Sequence, residues 1–511
     1  MASLVTSAIY LVASYLVFWV LRALYRVTLH PLAGYPGPVI AAISKPWYHW
    51  YWNFYNRGLL IFEIERLHAR YGPVVRIAPN ELHINDPEVF QEMTRVGSRF
   101  TKDPGFYSFV TFPGTSIGEH DPNAHRIRRQ VLAPAFSPAR VQQLAPMVKV
   151  KVDEILGRFE EFAAKREALD IFRATKAFTM DIISTIVFGK PLGCIQNPDF
   201  NNQFIEFLHS TFEMGWVAPA FPNLFWLSFQ LPEKVAEKLM PIPLFEFKKK
   251  CLGLMDSYLR ERDVPVIGDT EGATKKTEFD RSIVIDMLVD PNSAKDHSVL
   301  SDDQLAEEVI MLLSAGNDSV SGVLIMGIYK ILRYPEVHAK VNEELLSYIP
   351  NISEEITYEK VKKLPYLSAV VKEALRVSHP LPGLTPRVVP PEGFKLYNKT
   401  VPGGTVFNTS AYMLNRHPSV FPNPAVFNPD RWLDPSAIHL EKYMASFYRG
   451  TRQCLGRDLA FCELYTFLAN LFRKFELEIW DTTDSDMEWI DLLLVYFPGK
   501  HFHAKLKKRD R

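Results

Sequence analysis

Residues 447–458 read FYRGTRQCLGRD and run straight into LAFCELYTFLANLF, the apolar face of a helix. This pattern constrains the chain more than any other. A structural cysteine normally has apolar neighbours, whereas Cys454 has Arg449, Arg452 and Arg457 close by in sequence. Positive charge and the N-terminus of the following helix both favour a thiolate, so a lowered thiol pKa is expected. The set Phe447, Gly450, Arg452, Cys454 and Gly456 is also specific. By average composition it would arise on the order of once in millions of starting positions.

The rest of the composition narrows the class. A chain of 511 residues that is 47% hydrophobic and 13% aromatic has the material for a large core, which excludes a disordered polymer. Lys+Arg and Asp+Glu are equal at 58 each, so no global field recruits nucleic acid. The four cysteines, Cys194, Cys251, Cys454 and Cys462, contain no C-x-x-C pair. Neither a disulfide framework nor a zinc site is indicated, and the folded part is expected in a reducing compartment. Cys462 reads as core.

Residues 2–21 carry no charge, and Arg22 and Arg26 follow. That length matches the hydrocarbon thickness of a bilayer, and basic residues after the span place the bulk of the chain in the cytosol. A cleaved signal peptide would need a basic leader and a small-residue cleavage site, both missing. Residues 1–21 are therefore read as a transmembrane anchor. Residues 22–45, with Pro31, Pro36 and Pro38, are read as a proline-rich linker acting as a hinge, and 46–511 as one domain.

No fixed-period repeat occurs. The spacing predicts a strand pair over 71–86 broken at Pro79–Asn80, mostly helix from about 120 to 380, and strand pieces at 385–410 and at IDLLLVYF (490–497). The C-terminal KLKKRDR reads as a solvated tail. The fold class is mainly α with a minor β portion.

The cysteine loop matches F-x-x-G-x-R-x-C-x-G at every fixed position, and through it the chain resembles the cytochrome P-450 superfamily of haem-thiolate monooxygenases. The resemblance implies the P-450 fold, with haem b (iron protoporphyrin IX) bound through Cys454 as axial thiolate. Such a ligand pushes electron density that favours O–O cleavage. Gly450 would permit a tight turn, Gly456 would let the helix backbone pass close to a flat macrocycle, and Arg452 would pair with a propionate.

Further motifs follow in the family's order. In KEALR, Glu373 and Arg376 lie three apart, and FNPDRW (Phe427, Pro429, Arg431, Trp432) resembles the family's meander, which implies a structural triad of Glu373, Arg376 and Arg431. The same spacing in EIER, Glu63 and Arg66, reads as an exposed surface pair. SAGNDSVS (314–321) interrupts an apolar helix and resembles the family's oxygen groove, with Ala315 and Gly316 beside the cofactor. Asp318 and Ser319 would relay protons, serine replacing the family's threonine and lacking its rotamer-restricting methyl. The alternative is a helix kinked at Gly316 with Asp318 in solvent. His125 and Arg129 of HRIRR, one turn apart, and Arg387 of TPRVV would meet propionates. Arg126 and Arg128 read as solvated charge or a docking surface. His417, His501 and His503 have no spaced partners for a metal.

The substrate chamber is assigned from order alone, to Phe106, Phe109, Phe112, the aromatic stretch 212–229, Leu312, Ala315 and Leu384. The resemblance implies hydroxylation or epoxidation of a lipophile with O2. No flavin-binding G-x-G-x-x-G follows a strand, so electrons would come from NADPH through a separate cytochrome P-450 reductase, with cytochrome b5 as an additional candidate donor. ERLHARYGPVVRIAPNELHI and FTKDPGFY resemble fungal secondary-metabolism members, including the trichodiene oxygenase group, which points to a terpenoid-like substrate at the endoplasmic reticulum membrane. Two rivals remain. A haem-thiolate isomerase or dehydratase would turn over without reductase, and a non-catalytic lipophile-binding membrane protein would have no use for Cys454.

Overall fold

The computed structural model describes residues 2–509 apart from 111, 113, 214, 217, 218, 220, 222–226, 228–230, 232–234, 236–242 and 264–282. Helix α1 (Ala2–Thr28) is long and apolar enough to cross a membrane, and none of its span Leu4–Thr28 is buried against the rest of the protein. It fits a single membrane anchor. The helix continues through Arg22 and Arg26 to Thr28, beyond the expected boundary.

The proline-rich segment after α1 is packed rather than hinged. Leu32 is fully buried, and the Arg76 N–H donates to the Pro36 carbonyl at 2.7 Å. The Arg76 guanidinium, 2% exposed, donates to the carbonyls of Arg26 (2.8 Å) and Pro79 (2.7 Å). Gly37 presses so close to this strand that a Cβ would lie 2.2 Å from the Arg76 carbonyl oxygen. The hinge expectation overlooked Arg76, whose partners lie far apart in sequence.

Helix α2 (Leu60–Tyr71) leads into antiparallel strands β1 (Val74–Ala78) and β2 (Glu81–Ile84). Glu63 is buried: it accepts from Arg66 at 2.7 Å and from the Tyr48 hydroxyl at 3.3 Å, so only the arginine of that pair is exposed. Strands β3 (Thr101–Lys102), β5 (Arg387–Val388) and β8 (Val406–Asn408) complete a five-stranded sheet in the order β1-β2-β8-β5-β3. Lys102 stands directly opposite Arg387 in this register. Strands β6 (Phe394–Leu396) and β7 (Lys399–Val401) form a separate hairpin.

The helical body contains α3 (Pro122–Leu132), α4 (Pro138–Lys165), α5 (Ile171–Phe188), α6 (Gln203–Glu213), α7 (Pro243–Asp263), α8 (Asp302–Arg333), α9 (Pro365–Ser378) and α10 (Arg457–Lys474). Asp121 starts α3 by accepting the Asn123 and Ala124 N–H groups at 2.8 Å with Pro122 at the first position, which fixes the faces of His125, Arg128 and Arg129. Ser301 and Gln304 cap α8 reciprocally. Two-thirds of the apolar window of α8 is buried, so it is the core helix, with α5, α9 and α10 packed on it.

The C-terminus is not a loose tail. Strand β12 (His503–Lys508) pairs with β9 (Phe475–Trp480) over six residues and with β4 (Leu169–Asp170), burying Ala504 and Leu506. The alternation A-K-L-K hides this strand among lysines that face water. IDLLLVYF forms the tight hairpin β10 (Ile490–Leu492) and β11 (Leu494–Tyr496), turned at Leu493 with φ +74°.

One buried polar network fixes the stretch before the cysteine loop. Glu373 and Arg376 are both fully buried, and the guanidinium donates twice to the carboxylate, at 2.7 and 2.9 Å. Arg376 also donates to the carbonyls of Asn415 and Pro424, while Glu373 accepts from Arg431 (3.2 Å), the Trp432 indole (2.8 Å) and the Asn428 N–H (2.9 Å). Removing one member strands the opposite charge without water, a loss of roughly 3–5 kcal/mol. Glu373→Ala should therefore lower the thermal unfolding midpoint sharply, as read by circular dichroism, whereas Glu63→Ala, beside an exposed arginine, should lower it far less.

Candidate active site

The cysteine loop is shaped by backbone contacts before any ligand is considered. Gly450 has φ +66°, and a Cβ there would lie 1.8 Å from the Thr94 carbonyl oxygen, so only glycine fits. The Cys454 N–H donates to the Phe447 carbonyl at 2.8 Å, closing the loop, and Gly456 caps α10. A Cβ on Gly456 would meet nothing within 4 Å, so open space lies beside the start of α10. Phe447 stacks at 5.4 Å on Phe461 of the same helix.

Cys454 is reachable by solvent, yet protein atoms surround it and desolvation raises its thiol pKa. The expected depression fails because Arg449 and Arg452 are turned elsewhere: Arg449 donates to carbonyls of residues 441 and 442, and Arg452 to the Glu119 carbonyl at 2.7 Å. The groups that do favour the thiolate are the Gly456 N–H, Arg129 and Arg457, and they do not outweigh burial. Arg129 donates to the Gln453 carbonyl at 2.8 Å and so braces the loop itself.

Beside the loop, basic groups converge, with Glu119 the carboxylate that acts on them among the described residues. Lys102 and Arg387, cross-strand neighbours of like charge, are 7% and 5% exposed. Arg387 donates to the Tyr107 hydroxyl at 2.9 Å and lies over the Tyr448 ring, whose own buried hydroxyl has no partner. Desolvation, then Arg387 and Arg452, push the Lys102 ammonium well below its usual pKa. Desolvation, followed by Arg452, Lys102, Arg129 and Arg387, brings His125 down to about 3, and desolvation with Arg387 brings Arg452 to about 10. The carboxylate acting against this field is Glu119. Lys102 was missed in the sequence because FTKDPGFY gives no sign that its lysine turns inward.

The AGNDS segment of α8 is largely a seam with α5. A Cβ on Gly316 would lie 2.6 Å from the Ile183 side chain, so this glycine admits the neighbouring helix instead of facing open space. The Thr179 hydroxyl donates to the Asn317 amide oxygen at 2.7 Å. Asp318 pairs with Lys176, both nearly buried, so it is not in solvent; its second oxygen, Oδ2, has no partner. Ser319 donates to the Ala315 carbonyl at 2.6 Å, one turn back on the same face.

Other expected residues scatter. Leu312 is 7% exposed in the main core, while Leu384 packs with Phe62, Trp489 and Tyr412 in a separate cluster beneath the five-stranded sheet. Phe106 stacks edge-on against Tyr107, Phe112 packs on the main core, and the side chain of Phe109 lies outside the described residues, as does most of 212–229. Arg128 is not solvated: with the Ser116 N–H it donates to fully buried Glu308, at 2.9 and 2.8 Å. No three His, Cys, Asp or Glu side chains gather to hold a metal ion among the described residues.

Comparison with known proteins agrees with this architecture. The family model described as Cytochrome P450 matches residues 44–502. The chain is 48% identical to cytochrome P450 monooxygenase sol6 of Alternaria solani over 87% of this chain and 94% of that protein. It is 33% identical to cytochrome P450 monooxygenase aneF of Aspergillus aculeatus over 94% and 95%. The crystal structure of the cytochrome P450DA heme domain superposes with a TM-score of 0.73 at 18% identity, covering 93% of this chain and 98% of that one. With the cysteine loop, the buried network and the helical body in one fold, the chain belongs to the cytochrome P450 family and is a haem-dependent monooxygenase.

Proposed function

We propose that this protein is a membrane-anchored monooxygenase that hydroxylates or epoxidises a terpenoid-like lipophile, with electrons delivered from NADPH by a separate reductase at the endoplasmic reticulum. The observation that carries the reading is the set of buried basic side chains Lys102, His125 and Arg387 with the half-buried Arg452, opposed by Glu119 and next to a solvent-reachable Cys454. A flat dianion fits it. Haem propionates would neutralise the cations, the Tyr448 hydroxyl would gain a partner, and the free space beside Gly456 would admit the ring edge. Haem, when bound, supplies activation of O2 for insertion of one oxygen atom into a substrate C–H or C=C bond.

The chain's own residues divide the remaining work. Cys454 offers its sulfur at the start of α10, where the Gly456 N–H and Arg129 favour the thiolate and tune its donation. Asp318, held at Oδ1 by Lys176, keeps Oδ2 without a protein partner and available to exchange a proton, and Ser319, which donates its own proton to the Ala315 carbonyl, keeps its lone pairs open to accept a hydrogen bond. The relatives are named fungal monooxygenases, which supports secondary metabolism, and the rival isomerase reading has less use for this acid–hydroxyl pair.

In a preparation reconstituted with NADPH–cytochrome P450 reductase, Cys454→Ala should abolish turnover together with the thiolate-type spectrum of the reduced carbon monoxide complex; retained turnover would refute the assignment. Lys102→Ala should lower haem retention about tenfold or more, measured as haem per polypeptide after gel filtration, because a desolvated charge-assisted bond is lost. Asp318→Asn should slow product formation by about a hundredfold at unchanged haem content and raise the solvent isotope effect, which a merely structural residue would leave unmoved.

A further inference from the structure

The cysteine loop contains one residue whose backbone is out of keeping with its side chain. Tyr448 has φ +53°, in the left-handed region that suits glycine or asparagine and disfavours a bulky residue. It follows Phe447, whose carbonyl accepts the Cys454 N–H, and Gly450 lies two residues further on at φ +66°. A glycine at 448 would make the same turn without strain. Strain of this kind persists only where the surrounding structure over-determines it, and it gathers at working sites.

The ring shows what holds the turn. The Arg387 guanidinium lies over it, 4.8 Å from the centroid, and Phe90 packs against it nearly at right angles with centroids 5.4 Å apart. Phe90 belongs to the helix Pro87–Thr94, and the Thr94 carbonyl of that helix is the group that excludes a Cβ at Gly450. One short helix therefore grips both left-handed positions of the loop. The Tyr448 N–H donates to the Ala445 carbonyl at 2.9 Å, so its backbone donor is satisfied.

The hydroxyl is not. It is buried and makes no hydrogen bond; Thr385, last among the groups acting on it, already engages Thr409, at 2.9 Å to the side chain and 3.1 Å to the carbonyl. Burial raises the phenol to about 12, opposed first by Arg387, so it keeps its proton and stays a donor. Arg387 and Arg452, which also act on it, are donors themselves and cannot accept from it. A buried donor in this setting calls for an anionic oxygen.

We propose that Tyr448 is a positioning residue that couples the carboxylate edge of bound haem to the shape of the cysteine loop; this rests on the haem reading above. Its hydroxyl donates to a propionate, and that bond, with the Arg387 and Phe90 contacts, holds the left-handed turn from which Cys454 is presented. The anion grip and the sulfur ligand then lie six residues apart on one constrained segment. Loss of the hydroxyl weakens the hold on haem, whereas loss of the ring also frees the turn.

The test compares the haem-loaded full chain with Tyr448→Phe and Tyr448→Gly. Tyr448→Phe keeps ring and backbone and removes only the donor, so haem transfer to excess apomyoglobin should become about tenfold faster. The propionate bending band of its resonance Raman spectrum should also move, which a merely structural ring would leave in place. Tyr448→Gly relieves the backbone yet should lose haem at least as fast, and its reduced carbon monoxide complex should convert from the thiolate-type to the neutral-thiol band sooner than that of Tyr448→Phe. Unchanged haem transfer or an unmoved propionate band in Tyr448→Phe, or a thiolate-type band as durable in Tyr448→Gly as in the wild type, overturns the proposal. Absence of the thiolate-type band from the wild type would instead overturn the haem reading itself.

Discussion

Basic side chains drawn out of water, with one carboxylate, Glu119, acting on them, organise the centre of this protein. Lys102 and Arg387 face each other across a sheet, His125 comes from a helix and Arg452 from the cysteine loop, and each is desolvated by the protein. Polypeptide alone pays for such a cluster in stability. The surrounding fold tolerates it because rigid elements supply each member: a capped helix for His125, a paired strand for Lys102 and Arg387, and a loop locked at Gly450 for Arg452. On the proposed reading, a dianionic ligand would relieve the electrostatic stress of this cluster.

The sequence reveals those parts of the structure where chemistry forces particular residues. The cysteine loop is legible because a positive φ, a close backbone approach and, on the proposed reading, a sulfur ligand each restrict the residue type. The Glu373–Arg376 pair is legible only through its place ahead of FNPDRW, since Glu63 and Arg66 share the spacing and differ in burial. What stays hidden depends on long-range pairing. Nothing local marks Lys102 as buried opposite Arg387, Arg128 as the partner of Glu308, or the lysine-rich C-terminus as a strand. Leu384 shows the same limit, because which side of its strand a residue faces follows from the sheet around it.

The polar interruption of α8 has two layers. Asn317 and Gly316 serve its packing against α5, through Thr179 and Ile183, while Asp318 reaches Lys176 of the same helix and keeps one oxygen unspent. Helix packing and the proposed proton chemistry therefore draw on adjacent residues of one motif. Substitutions in α5, remote in sequence from α8, would be felt at the acid through this seam.

The join between α1 and the sheet has a mechanical meaning. Because Arg76 grips the carbonyl of Arg26, and Gly37 and Leu32 are wedged against the same strand, the anchor and the globular part share a stiff neck. With α1 in a bilayer, as proposed, a body mounted in this way would not swivel freely above the lipid. Its attitude toward the bilayer plane would be inherited from the tilt of a single helix, so membrane thickness would become a variable that steers the enzyme's orientation.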